Sequence, residues 1–195
     1  MDNSGFTGEH SQTVDDKGRV AVPAKFRLTL DDLVPGGEPK DNPVVHLVYG
    51  VPQTPYVECF SQTSMNAILA RIQTLDVADR RRGFLSWLYN ARKQIASVDD
   101  AGRLQLGPTV RNKLGVKSRG KAMFVGTGDR FQIWNPVDYR SAENEFENLM
   151  DSLQATYGRH FHPLELLEKD FPSSVLGRNG GSEPQDDPES GTPDG

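Results

Sequence analysis

The chain of 195 residues contains a single cysteine, Cys59, so no disulfide can form within it and a thiolate metal cluster would lack ligands. No stretch approaches the roughly 20 consecutive apolar residues that a membrane-spanning helix needs. Residues 1–20 also lack the basic start and the continuous apolar core of a secretory signal. These absences exclude disulfide scaffolds and zinc fingers, and we expect a cytoplasmic protein without a membrane partner.

The chain also has no overall excess of basic residues, and its formal net charge is −5. Of the 27 acidic residues, five follow Asn179, where there is no Lys or Arg, which leaves 22 acidic against 22 basic residues in the rest. Two stretches, residues 17–30 and 101–122, contain four and six basic residues and no acidic one. Local patches, and not the overall charge, therefore decide which partners the chain attracts.

The two basic stretches belong to an internal repeat. A shift of 84 positions aligns Val-Asp-Asp-Lys-Gly-Arg-Val-Ala-Val at residues 14–22 with Val-Asp-Asp-Ala-Gly-Arg-Leu-Gln-Leu at residues 98–106. The same shift aligns Arg27 with Arg111 and Leu30 with Leu114, and a shift of 74 aligns residues 57–60 with residues 131–134. This self-similarity predicts that the chain is an internal duplication.

Each copy predicts a strand, a tight turn, a second strand and a short helix. Asp-Asp-x-Gly is typical of a turn, since the Asp side chain accepts from nearby backbone amides and Gly tolerates positive φ. After the turn, alternating apolar residues place Arg19 and Arg103 on the exposed face. A proline then suits a first helical turn in each copy, Pro23 and Pro108. The apolar stripes that follow are Phe26, Leu30 and Leu33 in the first copy and Val110 and Leu114 in the second.

Amphipathic helices are predicted between and after the copies by apolar residues at i, i+3, i+4 and i+7. The stripes are Met65, Ile68, Leu69, Ile72 and Leu75 in the first helix, Phe84, Leu88, Ala91 and Ile95 in the second, and Phe146, Leu149, Met150, Leu153 and Tyr157 in a third that starts at Asn135-Pro136. Residues 164–167 predict a short helix over the third stripe. Residues 177–195 are too rich in Gly, Pro, Ser and Asp to bury a core, and we expect them to be disordered.

An exposed arginine beside a turn in each copy favours contact with nucleic acid, because its planar fork of donors matches a phosphate or a guanine edge. Such binding weakens as salt is added. Repetition within the chain and within an oligomer raises avidity without new contacts. The repeat therefore predicts a protein that binds multivalent sites on double-stranded DNA.

The chain resembles the MraZ family. The resemblance is carried by Gly-Phe-Thr-Gly-Glu-His at residues 5–10, the first motif with its Pro-Ala-Lys-Phe-Arg extension to Arg27, the second Asp-x-x-Gly-Arg, and Gly-Asp-Arg-Phe-Gln-Ile-Trp at residues 128–134. It covers about residues 5–150. It implies a bacterial transcriptional regulator with two AbrB/SpoVT-type swapped-hairpin domains, assembled into a ring. It further implies binding to short direct repeats upstream of the division and cell-wall gene cluster, usually as a repressor that also controls its own promoter.

The resemblance implies that the DNA contacts lie on the Asp-x-Lys-Gly-Arg turn and on nearby basic residues. Carried onto this chain position by position, the contacts on the turns are Lys17, Gly18, Arg19, Gly102 and Arg103. The predicted DNA-binding set adds the nearby basic residues Lys25, Arg27 and Arg111. The second copy departs from the pattern, with Ala101 in place of the lysine and Gly107 in place of the proline that corresponds to Pro23. We therefore expect the second turn to contribute less to binding.

We thus predict an α+β fold, a duplicated AbrB/SpoVT-like swapped-hairpin β-barrel with amphipathic linking helices. The predicted divisions are residues 5–60 for the first repeat, 61–94 for the linking helices, 95–140 for the second repeat, 141–176 for C-terminal helices and 177–195 for the acidic tail. The expected protein is a homo-oligomeric, nucleoid-associated regulator and not an enzyme, with no cofactor and no bound metal.

Other interpretations of the same residues remain open. Arg19 and Arg103 could form surface ion pairs with the neighbouring aspartates, and the two Asp-Asp pairs could serve acid/base or metal chemistry. His160, His162 and Glu165 could bind a metal, although a polar helix start is favoured. The run from Arg80 to Arg82 fits a solvated helix end, a subunit contact or a further DNA contact. An AbrB-like antidote that neutralises a protein toxin is the alternative function.

Gly126-Thr127-Gly128 resembles part of a nucleotide-binding loop, but residues 131–134 alternate as a strand, so we interpret it as a hairpin turn. Cys59 aligns with Ile133 in the repeat, which predicts that it fills the core as a small apolar side chain.

Overall fold

The computed structural model describes residues 5–32 and 42–167. The predicted acidic tail and Leu33 lie outside the described residues. The chain divides into two compact units, Met1–Glu143 and Asn144–Gly195. Among the described residues, no helix combines the length and the apolar character needed to cross a bilayer.

The described chain combines five α-helices with strands that pair only antiparallel, in agreement with the predicted α+β class. In chain order they are β1 (Glu9–Thr13), β2 (Arg19–Ala21), α1 (Ala24–Asp32), β3 (Val44–Val48), β4 (Tyr56–Ser61), α2 (Gln62–Gln73), α3 (Arg80–Ser86), a π-helical turn (Trp87–Ala91), β5 (Lys93–Ser97), β6 (Arg103–Gln105), α4 (Pro108–Leu114), β7 (Lys121–Gly126), β8 (Phe131–Trp134), α5 (Pro136–Tyr157) and a 3-10 helix (Pro163–Leu167). The predicted order of strand, turn, strand and helix is confirmed in both copies of the motif.

Six strands form one antiparallel sheet in the order β1-β7-β8-β4-β3-β5, and β2 pairs with β6 in a separate two-stranded ribbon. The 84-residue shift exchanges β1 with β5, so the two edge strands of the sheet are equivalent elements of the repeat. In the ribbon Val20 lies opposite Leu104, and in the central ladder Glu58 lies opposite Gln132. Both pairs are equivalent residues under the shifts of 84 and 74, so the copies face each other as they would around an approximate two-fold axis.

One hydrophobic core contains the apolar stripes of both copies. Phe26 and Leu30 of α1 and their counterparts Val110 and Leu114 of α4 are each at most 1% exposed. Cys59 lies in the same core, as predicted, and burial raises the pKa of its thiol well above the usual value. Burial of these stripes supplies the main driving force for this unit to fold.

The second linking helix is shorter than predicted, and its predicted continuation to Ile95 is wrong. The helix α3 ends at Ser86, the π-helical turn ends at Ala91, and residues 93–97 form the edge strand β5 beside β3. Ile95 is 59% exposed in that strand. The apolar spacing predicts a helix here, but the backbone N–H and C=O groups of this segment form their hydrogen bonds with β3 instead.

The unit that follows Glu143 contains most of α5 and the 3-10 helix. The predicted start of α5 at Asn135-Pro136 is confirmed, since Asn135 Oδ1 accepts a hydrogen bond of 2.9 Å from the backbone N of Val137. The 3-10 helix begins with a polar cap, in which Glu165 Oε1 accepts from the backbone N of His162 at 2.7 Å. The favoured interpretation of these residues, a polar helix start, is thereby confirmed.

Candidate nucleic-acid interface

Each Asp-Asp-x-Gly segment folds into a turn held by its first aspartate. Asp15 Oδ1 accepts from the backbone N atoms of Lys17 and Arg19 at 2.9 and 2.8 Å, and Asp99 Oδ1 accepts from those of Ala101 and Arg103 at 3.0 and 2.8 Å. The glycines that close the two turns, Gly18 and Gly102, have φ of 80° and 71°. The aspartates and glycines are therefore explained by turn formation.

The same aspartates hold the motif arginines. Arg19 donates from Nε to Asp15 Oδ2 at 2.8 Å, and Arg103 donates from Nε to Asp99 Oδ2 at 3.1 Å. The Nη2 atoms complete the two ion pairs at 2.7 and 3.0 Å from the same oxygens. The backbone N–H of each arginine lowers the pKa of its aspartate below the usual value, and the guanidinium lowers it further. The Nη1 group of each arginine has no hydrogen-bond partner among the described residues, so its two donors stay available to a ligand.

Both motif arginines lie on one face of the ribbon. Arg19 is opposite Gln105, and Arg103 is opposite Ala21, in a ladder whose central pair is buried. Diagonal neighbours in such a ladder have Cα atoms roughly 7–8 Å apart. The side chains of Arg19 and Arg103 are 30% and 37% exposed. The ribbon thus presents two oriented guanidinium groups to solvent on the same face.

Each turn rests on the helix of the other copy. A Cβ on Gly18 would lie 3.1 Å from Nε of Arg111 in α4, and a Cβ on Gly102 would overlap the guanidinium of Arg27 in α1. The Nε atoms of Arg27 and Arg111 are buried and have no hydrogen-bond partner among the described residues. The fold therefore brings Gly18 to Arg111 and Gly102 to Arg27, 93 and 75 positions apart in the sequence.

The two predicted lysines are placed less tightly. Lys17 is exposed at the tip of the first turn, and Lys25 is exposed on α1, two residues before Arg27. Neither side chain makes an ion pair within the described residues. They add positive charge beside the ribbon without a fixed orientation.

Two residues outside the predicted set also contact the first turn. Gln105 Nε2 donates to the carbonyl oxygen of Lys17 at 2.9 Å, and Arg119 donates from Nε and Nη2 to the two carboxylate oxygens of Asp16, both at 2.9 Å. Arg119 has a φ of 63°, which is uncommon for a residue other than glycine. Sequence reasoning placed Arg119 in a basic stretch but had no signal for its partner, 103 positions away.

The aspartates of the two motifs have identifiable partners in the folded chain. Within residues 5–32 and 42–167, no three His, Cys, Asp or Glu side chains come together in a way that could hold a metal ion. The four motif aspartates instead contact backbone amides, arginines or the side-chain amide of Asn42.

Comparison with curated proteins finds relatives that share one name. No protein-family model matches the chain. Two proteins named transcriptional regulator MraZ, from Ruegeria sp. and Ruegeria pomeroyi, are 37% and 33% identical to it over 164 residues, which is 84% of this chain and 95% of each relative. A protein of the same name from Ligilactobacillus salivarius is 27% identical over 149 residues, or 76% of this chain and 93% of the relative.

Proposed function

Because the chain belongs to the MraZ family of transcriptional regulators, we propose that it binds double-stranded DNA sequence-specifically through the β2–β6 ribbon. Its targets are short direct repeats upstream of the division and cell-wall gene cluster. There it acts as a repressor, and the promoters that it represses include its own. The function requires no catalytic step and no cofactor. Such a regulator works in the cytoplasm at the nucleoid.

We further propose that the fold is the duplicated swapped-hairpin barrel of AbrB/SpoVT proteins. The support is the interleaving of the two copies, since β1 pairs with β7 of the second copy and β5 pairs with β3 of the first. The ribbon also joins one strand from each copy. A ring of subunits would then repeat the ribbon and raise avidity for direct repeats through effective concentration.

The observation that carries the proposed function is the common face of Arg19 and Arg103. The major groove of B-DNA admits a two-stranded ribbon, and arginine reads O6 and N7 of guanine or a phosphate with two donors. The ion pair with aspartate orients each guanidinium before DNA arrives, so less side-chain entropy is lost on binding. Asp15 and Asp99 therefore support binding by orienting the arginines. The arginines can form surface ion pairs with these aspartates and still bind DNA.

The first prediction compares the two arginines. Arg19→Ala should abolish specific binding to the DNA upstream of the protein's own coding region, because it removes the oriented donors of the first turn. Arg103→Ala should weaken binding less, since its turn lacks the lysine. Affinity measured at two salt concentrations checks both, with a log-log slope of about −0.9 per phosphate neutralised.

Arg81→Ala is the matched control, since Arg81 is also an exposed arginine paired with an aspartate, Asp79, at 2.7 Å. Its affinity should equal that of the unmodified protein, and a loss would instead identify the run from Arg80 to Arg82 as a further DNA contact. Unchanged binding by Arg19→Ala, or a larger loss in Arg103→Ala than in Arg19→Ala, would show that the assigned roles are wrong.

A further inference from the structure

The second aspartate of each turn meets a different partner in the two copies. In the first turn, Asp16 accepts two hydrogen bonds from Arg119, one from Nε and one from Nη2. In the second turn, the one hydrogen bond that the equivalent Asp100 accepts from the described residues is 3.2 Å long and comes from the neutral amide of Asn42. Arg119 lies shortly before β7 as Asn42 lies shortly before β3, so the two contacts are made from corresponding places.

This difference changes the charge that each turn presents. In the first turn the pairs Asp15–Arg19 and Asp16–Arg119 cancel, and Lys17 leaves one positive charge. In the second turn the pair Asp99–Arg103 cancels and Ala101 adds nothing. Asp100 leaves one negative charge, since it has no ion-pair partner within residues 5–32 and 42–167. Arg111 beside the first turn and Arg27 beside the second add one positive charge to each, so the first turn stays the more positive of the two and attracts a phosphate backbone more strongly.

The backbone of the first turn is also held more firmly. Gln105 Nε2 donates to the carbonyl oxygens of Lys17 and Leu106, at 2.9 and 3.3 Å. The 84-residue shift puts Ala21 at the equivalent place beside the second turn, and Ala21 has no side-chain donor. Gln105 therefore ties the tip of the first turn to Leu106, the residue that follows β6, and Ala21 cannot supply such a brace to the second turn.

We propose that Gln105 and Arg119 are positioning residues that make the first turn the principal DNA-binding element. This proposal rests on the proposed function. Gln105 fixes the geometry of the turn, so that Arg19 meets the base edges in one orientation. Arg119 neutralises Asp16, so that the turn approaches the phosphates without repulsion. Neither residue needs to touch DNA for these effects.

Gln105→Ala, which copies the residue at the equivalent position of the second turn, tests the geometric role. Its affinity for the upstream DNA should fall roughly fivefold, as expected for the loss of one neutral hydrogen bond, while its affinity for scrambled DNA of equal length and its salt dependence stay unchanged. Gln73→Ala, which alters an exposed glutamine of α2, is the control and should bind both DNAs normally. Unchanged binding by Gln105→Ala, or an equal loss on both DNAs, overturns this role.

Arg119→Asn copies Asn42 and suits the left-handed backbone, because asparagine tolerates positive φ better than most residues. It should weaken binding to both DNAs roughly tenfold at low salt, with a smaller loss at high salt, since an uncompensated Asp16 repels phosphate. In an Asp16→Asn background, the same change should alter affinity less than about twofold. An equal loss in both backgrounds would show that Arg119 contacts DNA directly and would overturn the positioning role.

The unmodified full-length protein separates the two proposals. If it prefers the upstream DNA to scrambled DNA and the variants behave like the controls, the positioning roles are wrong and the proposed function stands. If it shows no preference, the proposed function fails and the positioning roles fail with it. Thermal unfolding of each variant establishes that it is folded before its affinity is interpreted.

Discussion

The two adjacent aspartates of each motif do different things in the folded protein. Asp15 and Asp99 bind backbone amides of their own turns, whereas Asp16 and Asp100 bind side chains from distant segments. Local hydrogen bonding by the first aspartate follows from its residue type and its distance from the glycine, and it was predictable. The partners of the second aspartate depend on strand pairing, and no local pattern indicates them.

Gly18 should be among the least replaceable residues of the first turn. In Gly18→Ala a left-handed φ of 80° and a tight approach to Leu106 O, Gln105 Nε2 and Arg111 Nε, each at 3.1 Å, both oppose the new methyl group. We expect the free energy of unfolding to fall by about 1–2 kcal/mol, measured by urea denaturation.

Gly83→Ala is the converse control for that measurement. Gly83 lies inside α3, and a Cβ there would meet nothing within 4 Å. Alanine should stabilise that helix by up to about 1 kcal/mol. Equal stability changes in the two variants would contradict the conformational argument for Gly18.

His46 should make stability depend on pH. It is 3% exposed in β3, and burial lowers the pKa of its imidazole, with the hydrogen bond to Gln62 acting upward and Lys93 acting downward. The unfolded chain therefore binds the proton more readily, so this stability is complete above a pH of about 6.5 and is lost as the pH falls below that value. The melting temperature should drop between about pH 7.5 and about pH 5.5, and by less in His46→Phe. An identical drop in both proteins would argue against this role for His46.

At the scale of elements, the motif predicts its own strands and helices because its signals are local. Turn chemistry, alternation and an apolar stripe fall in order, and β1, β2 and α1 and their counterparts form where expected. Residues 93–97 show where this reasoning fails. Their spacing suits a helix, but the free edge of β3 supplies a ladder partner from 45 or more positions away.

The helix α2 should depend on its N-cap. Ser61 Oγ accepts from the backbone N of Ser64 at 3.1 Å, and Ser61 is 2% exposed. Ser61→Ala should lower the free energy of unfolding by about 1 kcal/mol, because a buried helix start loses its acceptor. Ser152→Ala, which changes a serine inside α5 that hydrogen-bonds back to Asn148 O, should change stability by less than about 0.5 kcal/mol. A cost for Ser152→Ala as large as that for Ser61→Ala would contradict the capping argument.

At the scale of the whole molecule, the two copies of the motif share one core and one sheet. Each edge strand of the sheet pairs with a strand of the other copy, and each turn rests on the other copy's helix. Neither copy has a complete set of ladder partners by itself. The unit Met1–Glu143 should therefore unfold as one cooperative body.

Two probes in different copies can check this cooperativity. Cys59 in β4 is buried and is the only cysteine, and Trp134 in β8 is 7% exposed. In Trp87→Phe, which leaves Trp134 as the sole tryptophan, thiol labelling of Cys59 and Trp134 fluorescence should change at the same urea concentration. Earlier exposure of Cys59 would show that the first copy opens independently.

By itself the sequence determined the repeat, the turns, the buried stripes and the family, because these depend on residue type, spacing and similarity over short ranges. Only the tertiary structure decided that Arg19 and Arg103 share a face, that Arg27 and Arg111 lie under the opposite turns, and that Arg119 neutralises Asp16. The physical reason is that antiparallel pairing brings together residues 75 to 103 positions apart, and the register of a ladder is set by packing of both copies at once.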